Sequence, residues 1–358
     1  MLATTSIIIP TLNERDNIIP LVERIAKALH GYRYQLVFVD DSSRDGTAGV
    51  AKSLASDYPI KVLVRPNKKG LATAILDGIA LADGEVIGVM DADLQHPPEV
   101  LPSLIKEYET GKDLVIASRY VPGGGCENWK LSRRIISKGA IALAHILLPP
   151  TRKIKDPVSG FFLFRRSLVK DLKFDPTGYK ILLEMLMVAK PGNIAEVPFT
   201  FIVRRVGSSK MTLRQERDYL RHLLSLMRRS GELTRFIKFI MVGGSGVVVN
   251  EGFLFLFREF AHLSLPLASA LSIELSILSN YNLNDLITFR DRRKPGLGSF
   301  LSRALRFNLV SLAGAGINWV TLLFLTNVLG VHYLVANLIG ILLATLWNYI
   351  VNSWWTWH

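Results

Sequence analysis

Two aspartates, Asp91 and Asp93, follow a short apolar run and are separated by a single residue. The run, residues 85–90, is mostly apolar and β-prone, which predicts a buried strand that ends where the acidic residues begin. Because side chains alternate along an extended backbone, the two carboxylates would share one face. Two such oxygens suit a hard divalent cation, which in turn suits a diphosphate. Acidic pairs of this spacing are common, so the meaning of this pair depends on the elements around it.

Those elements form an alternating series of strands and helices. Strands are predicted at residues 6–10, 36–39, 61–64 and 85–90, and a helical pattern follows each of them. Such a series predicts an α/β domain with a mostly parallel sheet, and these sheets bind ligands at the carboxyl ends of their strands. The polar residues at those ends are Glu14, Asp40, Asp41, Lys68 and Asp91. Their convergence favours a binding site over a chance acidic pair.

The composition restricts the partners. The 358 residues include 43 Lys and Arg against 30 Asp and Glu, a formal net charge of +13, which suits nucleic acid, an anionic membrane or anionic substrates. The sequence has no basic tract interleaved with aromatic residues, so no nucleic-acid partner is expected. Cys126 is the only cysteine, which excludes an intrachain disulfide framework and fits a reducing or cytosol-facing compartment. The first residues lack a basic flank, so no cleavable signal peptide is expected.

The apolar residues are concentrated after about residue 236, and they raise the mean hydropathy to +0.27. Four stretches, 239–257, 267–288, 307–328 and 333–354, are long and apolar enough to cross a bilayer. Residues recur between them at an offset of 68 (307 minus 239, 356 minus 288), which indicates two copies of one hairpin. The recurring residues are Phe239, Val242, Gly246, Asn250, Asn280, Tyr281, Asn284 and Thr288 in the first copy and Phe307, Val310, Gly314, Asn318, Asn348, Tyr349, Asn352 and Thr356 in the second. We therefore predict a soluble domain over 1–230 and an all-α transmembrane domain of four helices over 231–358.

Charges in the connections predict how the hairpins are oriented. Cations crowd the central connection and the start of the third span, at Arg290, Arg292, Arg293, Lys294, Arg303 and Arg306. Residues 261–265 and 330–333 contain no Lys or Arg. The central connection, the soluble domain and both termini are therefore expected in the cytoplasm, at the cell membrane of a prokaryote or the endoplasmic reticulum of a eukaryote. Glu251 and Glu274 are costly in lipid, and they predict a polar path or a buried partner.

Four motifs in the soluble half carry a family resemblance. They are Ile9-Pro10-Thr11-x-Asn13-Glu14, Val39-Asp40-Asp41-Ser42-Ser43-x-Asp45-Gly46-Thr47, Asp91-Ala92-Asp93-Leu94-Gln95-His96-Pro97-Pro98 and Asp156-Pro157-Val158-Ser159-Gly160-Phe161. From residue 5 to about 211 the chain resembles GT-A glycosyltransferases of family 2, and most closely the dolichol-phosphate (polyprenol-phosphate) mannose synthases. The resemblance implies a Rossmann-like GT-A fold and inverting transfer of mannose from GDP-mannose to dolichyl or polyprenyl phosphate, with Mg²⁺ or Mn²⁺ as cofactor. More loosely, the hairpins resemble GtrA-like domains.

The resemblance also implies roles for individual residues. It assigns the nucleotide-sugar pocket to Pro10, Glu14, Asp40, Asp41, Lys68, Asp91, Asp93, Gln95, Arg204 and Lys210. Within that set, Asp91, Asp93 and Gln95 would be the metal ligands, and Arg204 and Lys210 would close over the diphosphate. The acceptor phosphate would meet Arg119, Arg133 and Ser137, which together with Asp93 form the expected catalytic set.

Other segments leave alternatives open. Two helices with an apolar stripe and a basic edge, at about 130–148 and 212–229, are predicted to lie in a membrane interface, although the first also fits a core-facing helix. Glycines 123–125 predict a flexible loop that can cover a substrate. His96 is interpreted as loop polarity, and Glu184 either orients the donor sugar or is a surface acid.

The implied reaction needs no catalytic base, because a phosphate acceptor is already ionised near neutral pH. Leu12 stands where the family often carries Tyr beside the nucleotide base, so a UDP-hexose donor remains an alternative. A processive polysaccharide synthase is disfavoured because its Gln-x-x-Arg-Trp signature is absent. The alternative of another class is a transporter of lipid-linked sugars with a regulatory soluble half, against which the intact Asp-x-Asp motif argues.

Overall fold

The structure is a computed structural model, and it describes residues 4–66, 70–172, 174–175, 180–202 and 213–357. The chain divides into two compact units, Met1–Ser230 and Gly231–His358. The first unit contains all the strands among the described residues, and the described part of the second is helical.

A seven-stranded sheet forms the centre of the first unit, with the strand order β3-β2-β1-β4-β7-β5-β8. Neighbouring strands run parallel except around β7, which is antiparallel to both β4 and β5. The strands of this sheet are β1 Thr5–Thr11, β2 Tyr34–Asp40, β3 Ile60–Val64, β4 Val86–Val89, β5 Leu114–Ser118, β7 Phe162–Arg165 and β8 Ile194–Pro198. A separate parallel pair is formed by β6 Gly125–Cys126 and β9 Thr200–Phe201. The predicted α/β class with a mostly parallel sheet is confirmed.

Helices cover both faces of this sheet, which explains why its central strands are continuous apolar runs. In β1, Ile7 and Ile9 pack with Ile18 on one face, whereas Ile8 packs with Ile75 on the other. The helices of the unit are α1 Arg15–Ala28, α2 Thr47–Ser53, α3 Leu71–Leu81, α4 Leu101–Glu109, α5 Leu131–Leu147, α6 Ile181–Glu184 and α7 Leu213–Arg229. Helix α6 is short, because it gives way to a π-helical turn at Met185–Ala189.

An ion pair with a buried carboxylate attaches α7 to α6. Glu184 is fully buried, and Arg229 Nη1 donates to its two carboxylate oxygens at 2.8 and 3.0 Å. His222 Nε2 lies 3.4 Å from Glu184 Oε1. The interpretation of Glu184 as a surface acid is wrong, because its carboxylate is buried and anchors a helix. The alternative that Glu184 orients the donor sugar stays a prediction.

The described part of the second unit contains four long α-helices: α8 Glu232–Glu259, α9 Leu265–Leu283, α10 Leu297–Asn327 and α11 Tyr333–Val351. By length and composition, three apolar helices in the described chain suffice to cross a membrane, namely α8, α10 and α11 together with its last turn. The second predicted span coincides with α9, which is less apolar because serines, asparagines and Glu274 interrupt it. The expectation of four stretches that are long and apolar enough to cross a bilayer therefore holds for three of them among the described residues.

Equivalent contacts recur in the two hairpins of this unit. Asn280 of α9 fills the space beside Gly246 of α8 that a Cβ would need, and Asn348 of α11 does the same at Gly314 of α10. Each hairpin also ends in a π-helical turn, at Asn284–Thr288 and at Asn352–Thr356. The repeat in the sequence is therefore a repeat in the packing.

Aromatic contacts join the two halves of the repeat. Tyr281 donates to the carbonyl oxygen of Phe300 at 2.7 Å, and the equivalent Tyr349 donates to that of Glu232 at 3.4 Å. The rings of Phe289 and Trp357, which also correspond across the 68-residue offset (357 minus 289), stack with their centroids 4.3 Å apart.

We expect Gly246→Ala to destabilise the protein by about 1–3 kcal/mol, because the added methyl group would overlap the Asn280 side chain in a packed contact. Thermal unfolding of the purified chain in detergent measures this. Gly243→Ala is the matched control, since a Cβ there meets nothing within 4 Å. Equal unfolding temperatures for the two variants would contradict the packing argument.

Candidate active site

The two aspartates lie in a sharp turn directly after β4. Leu94 has a φ of +63°, a left-handed conformation that folds the chain back. The backbone N–H of Gln95 then donates to Asp93 Oδ1 at 3.1 Å, and Gln95 Nε2 donates to the carbonyl oxygen of Ile202 at 3.0 Å. These two hydrogen bonds, one within the turn and one to Ile202, fix the shape of the turn Asp91–Gln95, which we call the acidic turn.

The residue types in the acidic turn fit a divalent metal. Asp91, Asp93 and Gln95 offer two carboxylates and an amide, and because Gln95 hydrogen-bonds through Nε2, its Oε1 is the atom left for a cation. In the described part of the chain, no three His, Cys, Asp or Glu side chains are grouped to hold an ion. The other ligands of such a metal would therefore come from substrate phosphates and water, as Mg²⁺ prefers.

His96 positions the acidic turn. Its ring is buried and stacks on Phe161, with 5.3 Å between the centroids. The backbone N–H of Asp91 donates to His96 Nδ1 at 3.1 Å, which requires that nitrogen to be unprotonated. Burial lowers the pKa of His96 to about 4, so the ring is neutral near pH 7. The interpretation of His96 as loop polarity is therefore wrong.

Residues 156–160, which we call the bridging loop, connect the acidic turn to a group of cations. At one end, a Cβ on Gly160 would lie 3.5 Å from Asp91 Oδ2, so the loop backbone packs directly on that carboxylate. At the other end, Asp156 is fully buried and binds Arg119 through Nε and Nη2, both at 2.7 Å. Burial acts to lower the pKa of Arg119, but its bonds to Asp156 raise it above the ordinary value.

Lys180 contributes a cation that was not predicted from the sequence. Its Nζ donates to the carbonyl oxygen of Val158 in the bridging loop at 2.8 Å. Burial, followed by repulsion from Arg119, lowers the pKa of Lys180 to about 8, while Asp156 and Asp91 act in the opposite direction. No motif in the sequence marks this lysine, because its place in the site depends on the fold of a distant loop.

The three residues expected to meet the acceptor lie together beside an aromatic ring. The guanidinium carbons of Arg119 and Arg133 lie 5.5 and 4.2 Å from the centroid of Trp129. Tyr120 donates to Ser137 Oγ at 2.8 Å. Arg133 and Ser137 are four residues apart on α5, so they share one helix face. The structure thus brings Arg119, Arg133 and Ser137 into one group. No pattern in the sequence marked Trp129 or Tyr120 as part of it.

The residues expected to line the nucleoside pocket cluster where β1 and β2 end. Pro10 pairs with Val39, and Thr11 pairs with Asp40, in parallel register. The Asp40 carboxylate accepts from Thr11 Oγ1 at 3.1 Å and from the backbone of Ser43 at 2.8 Å. Its role here is to fix the loop that follows β2.

Two more predicted pocket residues have partners within the protein. Asp41 is ion-paired with the buried Arg65, whose Nε donates to it at 2.7 Å, and it also accepts from the backbone of Gly70 at 2.8 Å. Glu14 accepts from Asn17 Nδ2 at 2.6 Å. Lys68, Arg204 and Lys210 lie outside the described residues.

Two family models match the chain. Glycosyl transferase family 2 matches residues 6–173, and the GtrA/DPMS transmembrane domain matches residues 238–357. With the mostly parallel GT-A sheet and the acidic turn at its carboxyl edge, these matches define a family 2 glycosyltransferase that carries a C-terminal membrane domain.

Comparison with individual relatives shows which family of these glycosyltransferases the chain belongs to. The chain is 48% identical to the dolichol-phosphate mannosyltransferase of Pyrococcus furiosus, over 98% of this chain and 99% of that protein. It is 36% identical to the dolichol-phosphate mannosyltransferase of Saccharomyces cerevisiae, over 62% of this chain and 86% of that protein. The chain belongs to the dolichol-phosphate mannosyltransferase family, and it is an enzyme of that family. The resemblance in the four motifs is confirmed.

Solved structures show the same fold in the first unit. Glucosyl-3-phosphoglycerate synthase from Mycobacterium tuberculosis, in complex with Mg²⁺ and UDP, superposes with a TM-score of 0.50 at 22% identity, over 63% of this chain and 79% of that chain. Its complex with Mn²⁺, UDP and phosphoglyceric acid also gives 0.50, at 21% identity over 63% and 78%. At this level of identity, the similarity concerns the fold alone.

We expect Asp156→Asn to destabilise the protein by about 3 kcal/mol and to lower the transfer rate, because Arg119 would be left as an uncompensated buried charge. Thermal unfolding and initial-rate assays measure the two effects. Glu99→Gln is the matched control, since Glu99 forms a bidentate ion pair with Arg24 on the surface. This substitution should change the free energy of unfolding by less than about 1 kcal/mol. Equal effects of the two substitutions would contradict the argument that burial makes the ion pair of Asp156 and Arg119 important for stability.

Proposed function

We propose that the chain transfers mannose from GDP-mannose to a dolichyl or other polyprenyl phosphate, with inversion at C1, on the cytoplasmic face of the membrane. This proposal rests on one observation, that the site has a donor side and an acceptor side. The acidic turn suits a metal-bound diphosphate on one side, and Arg119, Arg133 and Ser137 suit a phosphate on the other. The bridging loop, which contacts Asp91 and binds Arg119, holds these two sides in register.

On the donor side, the proposed contacts are those of the family. Pro10, Glu14 and Asp40 would line the nucleoside, and Asp41 would act through Arg65, which it holds in place. Lys68, Arg204 and Lys210 are retained as proposed contacts of the nucleotide and its phosphates. Asp91, Asp93 and Gln95 would hold Mg²⁺ or Mn²⁺, which when bound neutralises charge on the diphosphate.

The acceptor phosphate would serve as the nucleophile. One of its oxygens forms a bond to C1 while the bond from C1 to the β-phosphate oxygen breaks, and that electron pair leaves with GDP. The reaction needs no catalytic base, because no proton has to be removed from the acceptor phosphate. Arg119 and Arg133 would hold the phosphate in line with C1. Ser137 accepts from Tyr120, so its own hydroxyl hydrogen is directed away from that bond and available to a phosphate oxygen.

The lipid part of the acceptor would bind along exposed faces of α5 and α7. Leu131 and Ile135 are 72% and 62% exposed beside Arg134 and Lys138 on α5. Leu220 and Leu224 are exposed beside Arg217 and Arg221 on α7. Tyr219 of α7 donates to the carbonyl oxygen of Ala140 in α5 at 2.7 Å, so the two helices are held together. Exposed apolar side chains flanked by cations are typical of helices that lie in a membrane interface.

The charge of the connections supports the proposed cytoplasmic location. In the second unit, α9 and α10 are joined through a segment that contains Arg290, Arg292, Arg293 and Lys294. By the positive-inside rule this segment stays in the cytoplasm, which puts the start of α8 and the end of α11 on the same side.

A transferase of the same mechanism that uses a UDP-hexose is the second candidate. The observation that favours it is Leu12, which is exposed after β1 and offers no ring to stack on a guanine base.

The deciding experiment is the transfer of radiolabel from GDP-mannose or UDP-glucose to an organic-extractable polyprenyl phosphate, with and without Mn²⁺. We expect label from GDP-mannose alone, and its loss with a chelator. Label from UDP-glucose alone would replace the donor and keep the mechanism. Label from neither donor would bring back the alternative of a lipid-linked sugar transporter.

In the same assay, we expect Asp93→Ala to reduce transfer by about 100-fold or more, because the metal would lose a carboxylate that stabilises the leaving diphosphate. The amount of protein in the membrane fraction should be unchanged. Asp57→Ala, at an exposed carboxylate outside the site, is the control and should retain full activity. Near-normal transfer by Asp93→Ala would remove Asp93 from the metal site.

A further inference from the structure

Helix α9 carries one carboxyl group on its outer surface, near the middle of the helix. Glu274 is exposed there, and its Oε1 accepts a hydrogen bond from Asn308 Nδ2 of α10 at 2.7 Å. The exposed residues around it on α9 are apolar, and they include Leu267, Leu271, Ile273 and Leu278. A carboxyl group among apolar side chains is costly if hydrocarbon covers it.

The depth of Glu274 follows from the packing of α9 on α8. Ser276 donates to the carbonyl oxygen of Gly246 at 2.6 Å, and Asn280 lies against the same glycine. Because α8 is long and apolar enough to cross a membrane, the part of α9 that packs along it lies at membrane depth. Lipid alone would therefore surround the outer side of Glu274.

The repeat shows that this polar pair is not needed to build a hairpin. At the 68-residue offset, Glu274 corresponds to Leu342 and Asn308 corresponds to Ile240, and both of these are exposed. The contacts that hold the hairpins together recur in both copies, as Gly246 with Asn280 and Gly314 with Asn348 do. The pair of Glu274 and Asn308 occurs once, and it joins α9 of the first hairpin to α10 of the second.

The leucines that precede and follow Glu274 and Asn308 on their helices have the spacing of residues at a contact between two packed helices. On α9, Leu267, Leu271, Glu274 and Leu278 follow one another at intervals of four, three and four residues. On α10, Leu301, Leu305, Asn308 and Leu312 have the same intervals, and all of these leucines are exposed. Such intervals keep side chains on one face against a neighbouring helix, and a single polar residue within them fixes register and partner number. We call these eight residues the α9–α10 seam.

We propose that the α9–α10 seam binds a second copy of this chain in a two-fold symmetric dimer. The seam contains a carboxyl group that accepts hydrogen bonds and an amide that both donates and accepts them, so a two-fold axis can bring each group opposite a complementary one. Hydrogen bonds of this kind associate helices within membranes. An apolar lipid chain offers no such group, which makes a self-complementary protein surface the better cover for Glu274.

Cross-linking in native membranes tests the dimer. In a Cys126→Ser background, which has no other cysteine, Leu271→Cys and Leu278→Cys place a thiol in the seam. The repeat supplies matched controls, because Ile339→Cys and Leu346→Cys lie at the equivalent positions of α11. Their exposed fractions, 38% and 44%, match the 41% and 40% of Leu271 and Leu278. We expect a covalent homodimer with the seam cysteines and none with the controls.

Substitution at Glu274 tests the polar pair itself. We expect Glu274→Leu to cause a several-fold loss of the Leu278→Cys cross-link, and Glu274→Gln to retain it, because Gln keeps a hydrogen-bonding group in the seam. Thermal unfolding of each variant reports whether the chain remains folded. Equal cross-linking at seam and control positions, no cross-linking at all, or a product with the mass of a different protein would each overturn the proposal.

Discussion

The buried ion pair between Asp156 and Arg119 is the interaction on which the rest of the site depends. Two charges removed from water are stable only when the hydrogen-bonding capacity of both is used. Asp156 meets this condition by accepting from the Arg119 side chain and backbone, while Glu196 accepts from the backbone of residues 155 and 156. These bonds hold the bridging loop in place at this end. Its other end, at Gly160, packs on Asp91, so the distance between the two sides of the site is determined by a short piece of backbone.

The packing of the second unit depends on the shapes of its side chains, in the way that the site depends on a pair of charges. An asparagine fits between two helices only where the opposite residue has no Cβ, and this occurs at Gly246 and again at Gly314. The two hairpins can differ elsewhere as long as these contacts remain. Glu274 and Asn308 lie at positions that this constraint leaves open, which is why they are informative about association instead of folding.

The sequence predicted what depends on local pattern. The strands ending near Asp40 and Asp91 were predictable because apolar runs alternate with helices, and the parallel arrangement then placed both residues at one edge. The roles of His96, Lys180 and Glu184 were not predictable, because each depends on burial against segments far away in the chain. Asp41 shows the same limit. Its motif was evident, but its pairing with the buried Arg65 requires the loops after β2 and β3 to meet. In the same way, the polar surface of α9 became informative only once its neighbours were known.

The position of Trp129 has an optical consequence. Trp129 is the single tryptophan among residues 1–230, and the two guanidinium groups of Arg119 and Arg133 lie close to its ring. The emission of an indole depends on the electric field across it, and a phosphate bound by those two cations would change that field. The first unit therefore contains an intrinsic fluorophore at its acceptor side. In a chain whose membrane tryptophans are replaced, its fluorescence would follow the arrival of the acceptor without any added label.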